Sequence, residues 1–255
     1  MTHTPQHWNN NDWSPSPIED LALTDSIRSL FNPHLTNADI KSRIVAAQQQ
    51  VLSPTADALR PYMCVLRFSF LVPRMFLHSD FQSIVQHFGG FQSIHCFVDL
   101  GCCMGADLFY LAKHLGAKPS SLLGLEYSYD FLKAGKILYH DDASNYNQIR
   151  FQQCDILLDL PKQKAQIIHA GSVLHTFENS VQIEQVCQHV YDMLLPGGCF
   201  FGSNRPDWIF SNKKKFAHCL EHIGFQNVVV KNSNFFVDEG WGPNFCCYKR
   251  LEAKL

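Results

Sequence analysis

Three acids and a pair of glycines carry the chemistry legible in this sequence. Asp99 lies near the end of an apolar run, His95-Cys-Phe-Val-Asp-Leu, and Gly101 and Gly105 follow it in Val98-Asp-Leu-Gly-Cys-Cys-Met-Gly-Ala-Asp-Leu. Glycine has no Cβ, so a turn through Gly101, Cys102 and Gly105 lets backbone approach a ligand closely. Glu126 ends the next apolar run, with Tyr127 after it, twenty-one residues beyond Gly105. That is the placement for a carboxylate accepting hydrogen bonds from both hydroxyls of a ribose. Asp155, in Gln153-Cys-Asp-Ile, ends a third run. Its carboxylate can accept from an adenine amino group, with the Ile156 N–H facing a ring nitrogen and the Ile156 side chain packed on the ring.

The same residues exclude other ligands. A dinucleotide fingerprint needs glycines at 101, 103 and 106, but 103 is Cys and 106 is Ala. A phosphate loop needs Gly-Lys-Ser/Thr, which is absent. Asp99 inside the turn would repel a pyrophosphate, whereas it suits a ligand bearing an ammonium and a sulfonium.

A second constellation could handle the reaction partner. Gly171-Ser172-Val-Leu-His175 follows a fourth strand, beside the reactive end of such a ligand. Gly171 and Ser172 are expected to touch the ligand's amino-acid end, although Ser172 also reads as a plain turn residue. His175 is the candidate general base or acceptor orienter; it reads equally as a histidine that caps the next helix or is merely packed. Upstream, Tyr62, Phe68, Phe70 and Phe76 could wall an apolar acceptor pocket, though an aromatic stripe at helical spacing is also how a core looks. Arg67 and Arg74 could hold a substrate carboxylate bidentately, or be surface cations. His78 falls in the same stretch. Arg205, in Asn204-Arg-Pro-Asp-Trp208, could close the pocket from the opposite side.

These residues need a scaffold that gathers strand ends. After Phe91, short apolar runs alternate with helical periodicity. Strands are expected at 95–100, 121–126, 149–154, 165–170 and 199–203, then at 228–231 and 245–249. Helices are expected at 106–115, 129–139, 181–194 and 213–223, the third ended by Leu195-Pro-Gly-Gly and the fourth by Gly224. This is a doubly wound, Rossmann-like α/β fold: a seven-stranded, mostly parallel sheet whose last strand runs antiparallel, because no helix separates the final two. Ligands of such sheets sit at the carboxyl ends of the strands, where strand order reverses. Before residue 91 the pattern is helical and broken by Pro33, Pro54 and Pro73. The expected division is a flexible tail over 1–17, a helical lid over 18–90 and the ligand-binding domain over 91–255.

Composition narrows the partners. In 255 residues, 46% are hydrophobic and 17% charged, which favours a packed core over a disordered chain. The net charge is −2 and the longest basic run is Lys213-Lys-Lys215, too little to neutralise a phosphate backbone. Nucleic acid is therefore not an expected partner. No apolar run approaches the roughly 20 residues of a membrane span. A cytoplasmic protein acting on a small molecule is expected, with a homodimer as the one assembly considered. The ten cysteines lie mostly in apolar runs and lack a CxxC…CxxC pattern, so they read as buried thiols, with no metal.

Asp99 to Leu108, Glu126, Asp155 and Leu195-Pro-Gly-Gly together resemble the motifs of class I S-adenosylmethionine (SAM)-dependent methyltransferases, over roughly residues 90 to 250. The resemblance implies SAM as cofactor and methyl transfer as activity. Cys103 stands where the family's turn usually has its middle glycine. A narrower similarity joins Asp-Leu-Gly-Cys-Cys-Met-Gly-Ala-Asp-Leu, Ile167-Ile-His-Ala-Gly-Ser-Val-Leu-His-Thr-Phe and Pro61-Tyr-Met-Cys-Val-Leu-Arg-Phe-Ser-Phe-Leu to fungal secondary-metabolite methyltransferases. Those act on polyketide-terpenoid and related products, which implies an acceptor hydroxyl or carboxylate on a small molecule. His78-Ser-Asp-Phe departs from that group's His-Pro-x-Tyr. An Asn/Asp-Pro-Pro-Tyr/Phe motif of nucleic-acid N-methylation is replaced by Ala170-Gly-Ser-Val. Two other readings stay open: a SAM-binding enzyme that uses the sulfonium electrostatically for cyclisation or rearrangement, and a non-catalytic partner subunit that kept the fold.

Overall fold

The computed structural model describes residues 15–53, 63–142, 144–158, 161–204, 212–232 and 244–251. Its centre is a seven-stranded sheet: β1 (Phe97–Leu100), β2 (Leu122–Glu126), β3 (Arg150–Gln153), β4 (Ala165–Gly171), β5 (Leu194–Ser203), β6 (Phe225–Lys231) and β7 (Asn244–Lys249). The order across the sheet is β3-β2-β1-β4-β5-β7-β6. Strands β1 to β5 pair in parallel, and β7 runs antiparallel to both β5 and β6. Strand order reverses between β1 and β4, the place where ligands of open α/β sheets bind, and these two strands carry Asp99 and Gly171.

Alternation along each strand divides the core in two. One face of the sheet, with Phe97, Leu122, Ile167, Phe201 and Cys246, is covered by α5 (Ala106–His114) and α6 (Tyr129–Tyr139). The other, with Val98, Leu123, Ile168, Phe200 and Phe245, is covered by α7 (Ser180–Met193) and α8 (Lys213–Ile223). The amino-terminal helices join the first face. α1 (Asp25–Leu30) and α2 (Asn37–Leu52) bury Ile27, Leu30, Ile40 and Ile44 in the same cluster as Leu108 and Leu138. The 18–90 region thus shares the core of the α5–α6 layer. α3 (Met63–Leu66), two 3-10 turns at Ser69–Leu71 and Met75–Leu77, and α4 (Phe81–His87) complete it.

Local signals explain the boundaries. Thr36 and Asp39 cap α2 reciprocally, each holding the other's backbone N–H. Asn212 caps α8, and Gly224 ends it in the left-handed conformation. Two expected boundaries shift. The Leu195-Pro-Gly-Gly break is taken into β5: Leu194 already pairs with Ala165, and a register shift absorbs Gly197, at φ 76°. β6 starts at Phe225 instead of Val228, because an irregularity between Gln226 and Val229 lets both of its ends pair with β7.

All ten cysteines are free thiols, most of them buried; Cys199 and Cys246 face each other across β5 and β7 at 3.7 Å. Among the described residues, no helix is long and apolar enough to cross a membrane. Among them also, no group of three or more His, Cys, Asp or Glu is placed to hold a metal.

Candidate active site

The turn after β1 is built on left-handed backbone. Gly101 has φ 63° and Gly105 φ 81°. A Cβ on Gly101 would stand 2.6 Å from Val173 Cγ2, and one on Gly105 2.6 Å from the Phe151 ring. Both glycines are required by conformation and by space. Cys103 adopts φ 53° without that freedom, at a cost of about 1–3 kcal/mol. What it gains is visible: the Cys103 N–H donates to Glu126 Oε2 at 2.8 Å. Ser128 N–H donates to Glu126 Oε1 at 3.2 Å. Cys102, itself buried, donates its N–H to Leu125 O and accepts from Gly105 N–H. The turn is therefore laced to the end of β2.

Burial pushes the Glu126 carboxyl up to about 7, and the N–H groups of Ser128 and Cys103 oppose the rise. Asp99 is 4% exposed and is partnered by His169, whose Nδ1 lies 2.7 Å from Asp99 Oδ1. Burial raises the Asp99 carboxyl well above the usual range and lowers the His169 imidazole to about 4. Both shifts favour a pair without net charge.

Asp155 follows β3 and receives the Leu157 N–H at 2.9 Å, a turn that leaves the residue partly exposed. Ile156 is 8% exposed, and its carbonyl meets His189 Nδ1 at 3.0 Å. Tyr127 is exposed beside Glu126. The adjacent strands β1, β2 and β3 carry Asp99 and Glu126 toward their carboxyl ends, with Asp155 two residues beyond β3.

Beyond β4, Ser172 also has left-handed backbone, φ 55°, and donates its N–H to Ser203 O at 2.7 Å, tying the ends of β4 and β5. His175 is half-buried in a 3-10 turn, Leu174–Thr176. It does not cap α7: Asn179 does, its side chain accepting the Gln182 N–H.

The candidate acceptor residues divide. Phe70 is 6% exposed and packs edge-on against Phe68 in the core. Arg67 reaches Ser16 Oγ at 3.5 Å. Arg74 donates through Nη2 to Ser69 O. The backbone N–H groups of Arg74 and Met75 both reach Asp107 Oδ1, at 2.6 and 2.7 Å. His78 is 8% exposed and spends both ring nitrogens inside the protein: Nε2 on Gly202 O at 3.2 Å, Nδ1 on the Asp80 N–H at 3.2 Å. This binds the segment to β5, with the imidazole lowered to about 4, chiefly by burial. Tyr62 and Arg205 lie outside the described residues.

Two side chains stand out that the sequence did not flag, and a third heads the 204–208 segment that it did. Asp107 anchors residues 74–75 to α5. His169 holds Asp99. Asn204, just past β5, is fully buried, and neither amide atom has a hydrogen-bond partner among the described residues. A signal for His169 existed: in Ala165-Gln-Ile-Ile-His-Ala, period two places it on the face of Ile167.

Residues 98–200 match the protein family described as a methyltransferase domain. The chain is 26% identical over 141 residues to O-methyltransferase phiE of Fungal sp. (strain ATCC 74256), covering 53% of this chain and 45% of the relative. It is 27% identical over 144 residues to methyltransferase ausD of Penicillium brasilianum, covering 54% and 50%. The matched region spans about half the length of these curated relatives. In fold it is similar to phosphoethanolamine N-methyltransferase 2 of Haemonchus contortus, solved with phosphomonomethylethanolamine and S-adenosylhomocysteine, with a TM-score of 0.52 at 12% identity over 67% of this chain and 52% of that one.

Proposed function

From a chain that carries a class I SAM-dependent methyltransferase domain and resembles the fungal secondary-metabolite members of that group, we propose methyl transfer from SAM to an oxygen, hydroxyl or carboxylate, of a small molecule. One observation supports the reading: Asp99, Glu126 and Asp155 lie at or just past the carboxyl ends of three adjacent strands, and Glu126 is hydrogen-bonded to the turn between Gly101 and Gly105. The residues fit the cofactor. Glu126 is already fixed by two backbone N–H groups, so its remaining lone pairs are aimed before a ribose arrives. The space a Cβ would take at Gly101 and Gly105 is filled by Val173 and Phe151, so these glycines set the shape of the turn that presents its N–H groups.

When bound, SAM supplies an electrophilic methyl group on a sulfonium. The chain's part is placement. In this reading Glu126 receives the ribose hydroxyls, with Tyr127 as an exposed neighbour. Asp155 and Ile156 hold the adenine, and Cys102 and the glycines accommodate the backbone approach. Asp99, Gly171 and Ser172 face the amino-acid end. The displacement needs acceptor oxygen, methyl carbon and sulfur nearly in line, so orientation supplies much of the rate. A carboxylate acceptor needs no base. For a hydroxyl, His175 takes the proton at a ring nitrogen as the oxygen–carbon bond forms, worth about 10²–10⁴-fold.

Residues 63–78 serve as the acceptor's cover, fastened to α5 by Asp107 and to β5 by His78. Arg67, Arg74 and Arg205 are the cations proposed to face a substrate carboxylate. A small molecule is favoured over nucleic acid, because a net charge of −2 offers no phosphate footprint.

The test combines calorimetry with label transfer. Wild-type protein binds SAM and passes labelled methyl to a fungal small-molecule extract. Glu126→Ala loses cofactor affinity, whereas His175→Ala keeps affinity and loses turnover. Retention of full SAM affinity in Glu126→Ala would remove the ribose assignment. Product formed without label would favour cyclisation instead.

A further inference from the structure

Asp99 on β1 and His169 on β4 are register partners on adjacent strands. Their 2.7 Å contact, Nδ1 to Oδ1, joins two groups that are each 4% exposed. The ring is held from two more sides. Phe201 of β5 lies 4.8 Å away, centroid to centroid. Gly171 lies over the opposite edge: a Cβ there would come 2.6 Å from His169 Cε1 and 3.1 Å from Nε2. Gly171 is therefore required by the imidazole it covers, and any side chain at 171 would push the ring off Asp99.

Among the described residues, no Lys or Arg acts on either member of the pair. The titratable groups that face it are Asp107 on α5, His78 on the segment before α4, Glu126 on β2 and Cys102 in the turn. Among the described residues, no hydrogen bond but that of His169 reaches the Asp99 side chain. A buried carboxylate with a single donor is under-supplied, because buried polar groups are ordinarily satisfied and buried charges paired. Among the described residues no hydrogen bond is recorded to the other oxygen, Oδ2, and Asp99 lies on β1, one of the two strands between which strand order reverses.

We propose that His169 is a positioning residue for the cofactor: its Nδ1–H, donated to Asp99 Oδ1, fixes the buried carboxylate so that Oδ2 receives the ammonium of the SAM amino-acid end. This rests on the methyl-transfer reading given above. In the cofactor-free chain, burial keeps the pair without net charge. An ammonium at Oδ2 favours the carboxylate, the acid proton leaves to solvent, and His169 in its Nδ1–H tautomer then donates to Oδ1. Capture of the cofactor's positive end and the tautomer of His169 are thus one event.

The experiment is calorimetric titration of the full chain with S-adenosylhomocysteine and with 5′-methylthioadenosine, which keeps the nucleoside and lacks the amino-acid end. His169→Leu removes the donor, and His169→Asn restores an N–H near the Nδ1 position. Gly171→Ala displaces the ring while leaving it intact, and serves should His169→Leu fail to fold. The expected result is at least a tenfold loss of S-adenosylhomocysteine affinity in His169→Leu and Gly171→Ala. Methylthioadenosine affinity stays within about twofold of wild type, and His169→Asn recovers most of the loss. Equal losses for both ligands would mark a merely structural histidine and overturn the proposal, as would undiminished S-adenosylhomocysteine affinity in both variants. If wild type binds neither ligand, the methyl-transfer reading itself fails and takes this one with it.

Discussion

Glu126 should make nucleoside binding depend on pH in a window where carboxylates are normally silent. Its carboxyl is raised from 4.5 to about 7 by burial. A ribose-binding role requires the ionised form, which offers acceptors to both hydroxyls. The apparent dissociation constant is then the intrinsic one multiplied by one plus the ratio of protonated to ionised Glu126. Affinity should fall about tenfold from pH 8 to pH 6 and about tenfold again to pH 5, or about 1.4 kcal/mol for each of the two steps. The assay is calorimetry with 5′-methylthioadenosine, which has no amino-acid group to titrate. Glu126→Gln should bind weakly and flatly across the same range. Its amide would place N–H groups against the Cys103 or Ser128 N–H, a mismatch worth about 1–3 kcal/mol. Folding carries the opposite slope. A carboxyl raised in the native state binds more protons there than in the unfolded chain between pH 4.5 and 7. Its contribution to stability is therefore present below 4.5 and lost as pH rises through about 7. Glu126→Gln should remove that loss. Wild-type affinity unchanged between pH 8 and 6, or a variant with the wild-type slope, would refute the assignment of Glu126.

Other perturbations follow from the same geometry. His78 is lowered from 6.5 to about 4, so the unfolded chain binds the extra proton in between. Thermal stability should fall as pH drops from 6.5 toward 4, and a neutral His78→Gln should flatten part of that fall in a melting series. Gly105→Ala sets a Cβ against the Phe151 ring in left-handed backbone, and should cost about 1–3 kcal/mol by urea titration together with cofactor affinity. Asn204→Leu removes two buried polar atoms that have no hydrogen-bond partner among the described residues. It should raise or preserve the melting temperature, because each such atom costs about 1–3 kcal/mol, while lowering methyl transfer if the amide serves the acceptor. A fall in stability of similar size would show the amide to be satisfied within the fold.

Much of the scaffold was legible because it rests on local signals. The 3.6-residue periodicity and capping residues placed Tyr129–Tyr139 and Lys213–Ile223 to the residue. The acids at the ends of β1, β2 and β3 follow from strand termination alone. What was hidden is long-range. Asp99 and His169 are 70 residues apart, joined because β4 docks beside β1 rather than beside β3. The role of Asp107 depends on residues 74–75, more than thirty positions upstream, folding back upon it. His78 read as a ligand-facing imidazole, yet a strand carbonyl and a nearby amide take both its nitrogens. The helices of 18–90 read as a separate cover, since their apolar stripes do not say which surface they will meet. That surface is the α5–α6 layer.

Cys103 limits what natural variation can do in this loop. Its backbone is left-handed and its N–H is already committed to Glu126, so the side chain matters less than the shape it tolerates. Glycine, asparagine and aspartate accept that shape most readily; β-branched residues do not. Variants recovered from a saturated library at 103 should cluster in that small set. A thiol there is then a compromise between chain stiffness and fit, and it leaves a loop whose form is settled at folding rather than on encounter with a nucleoside.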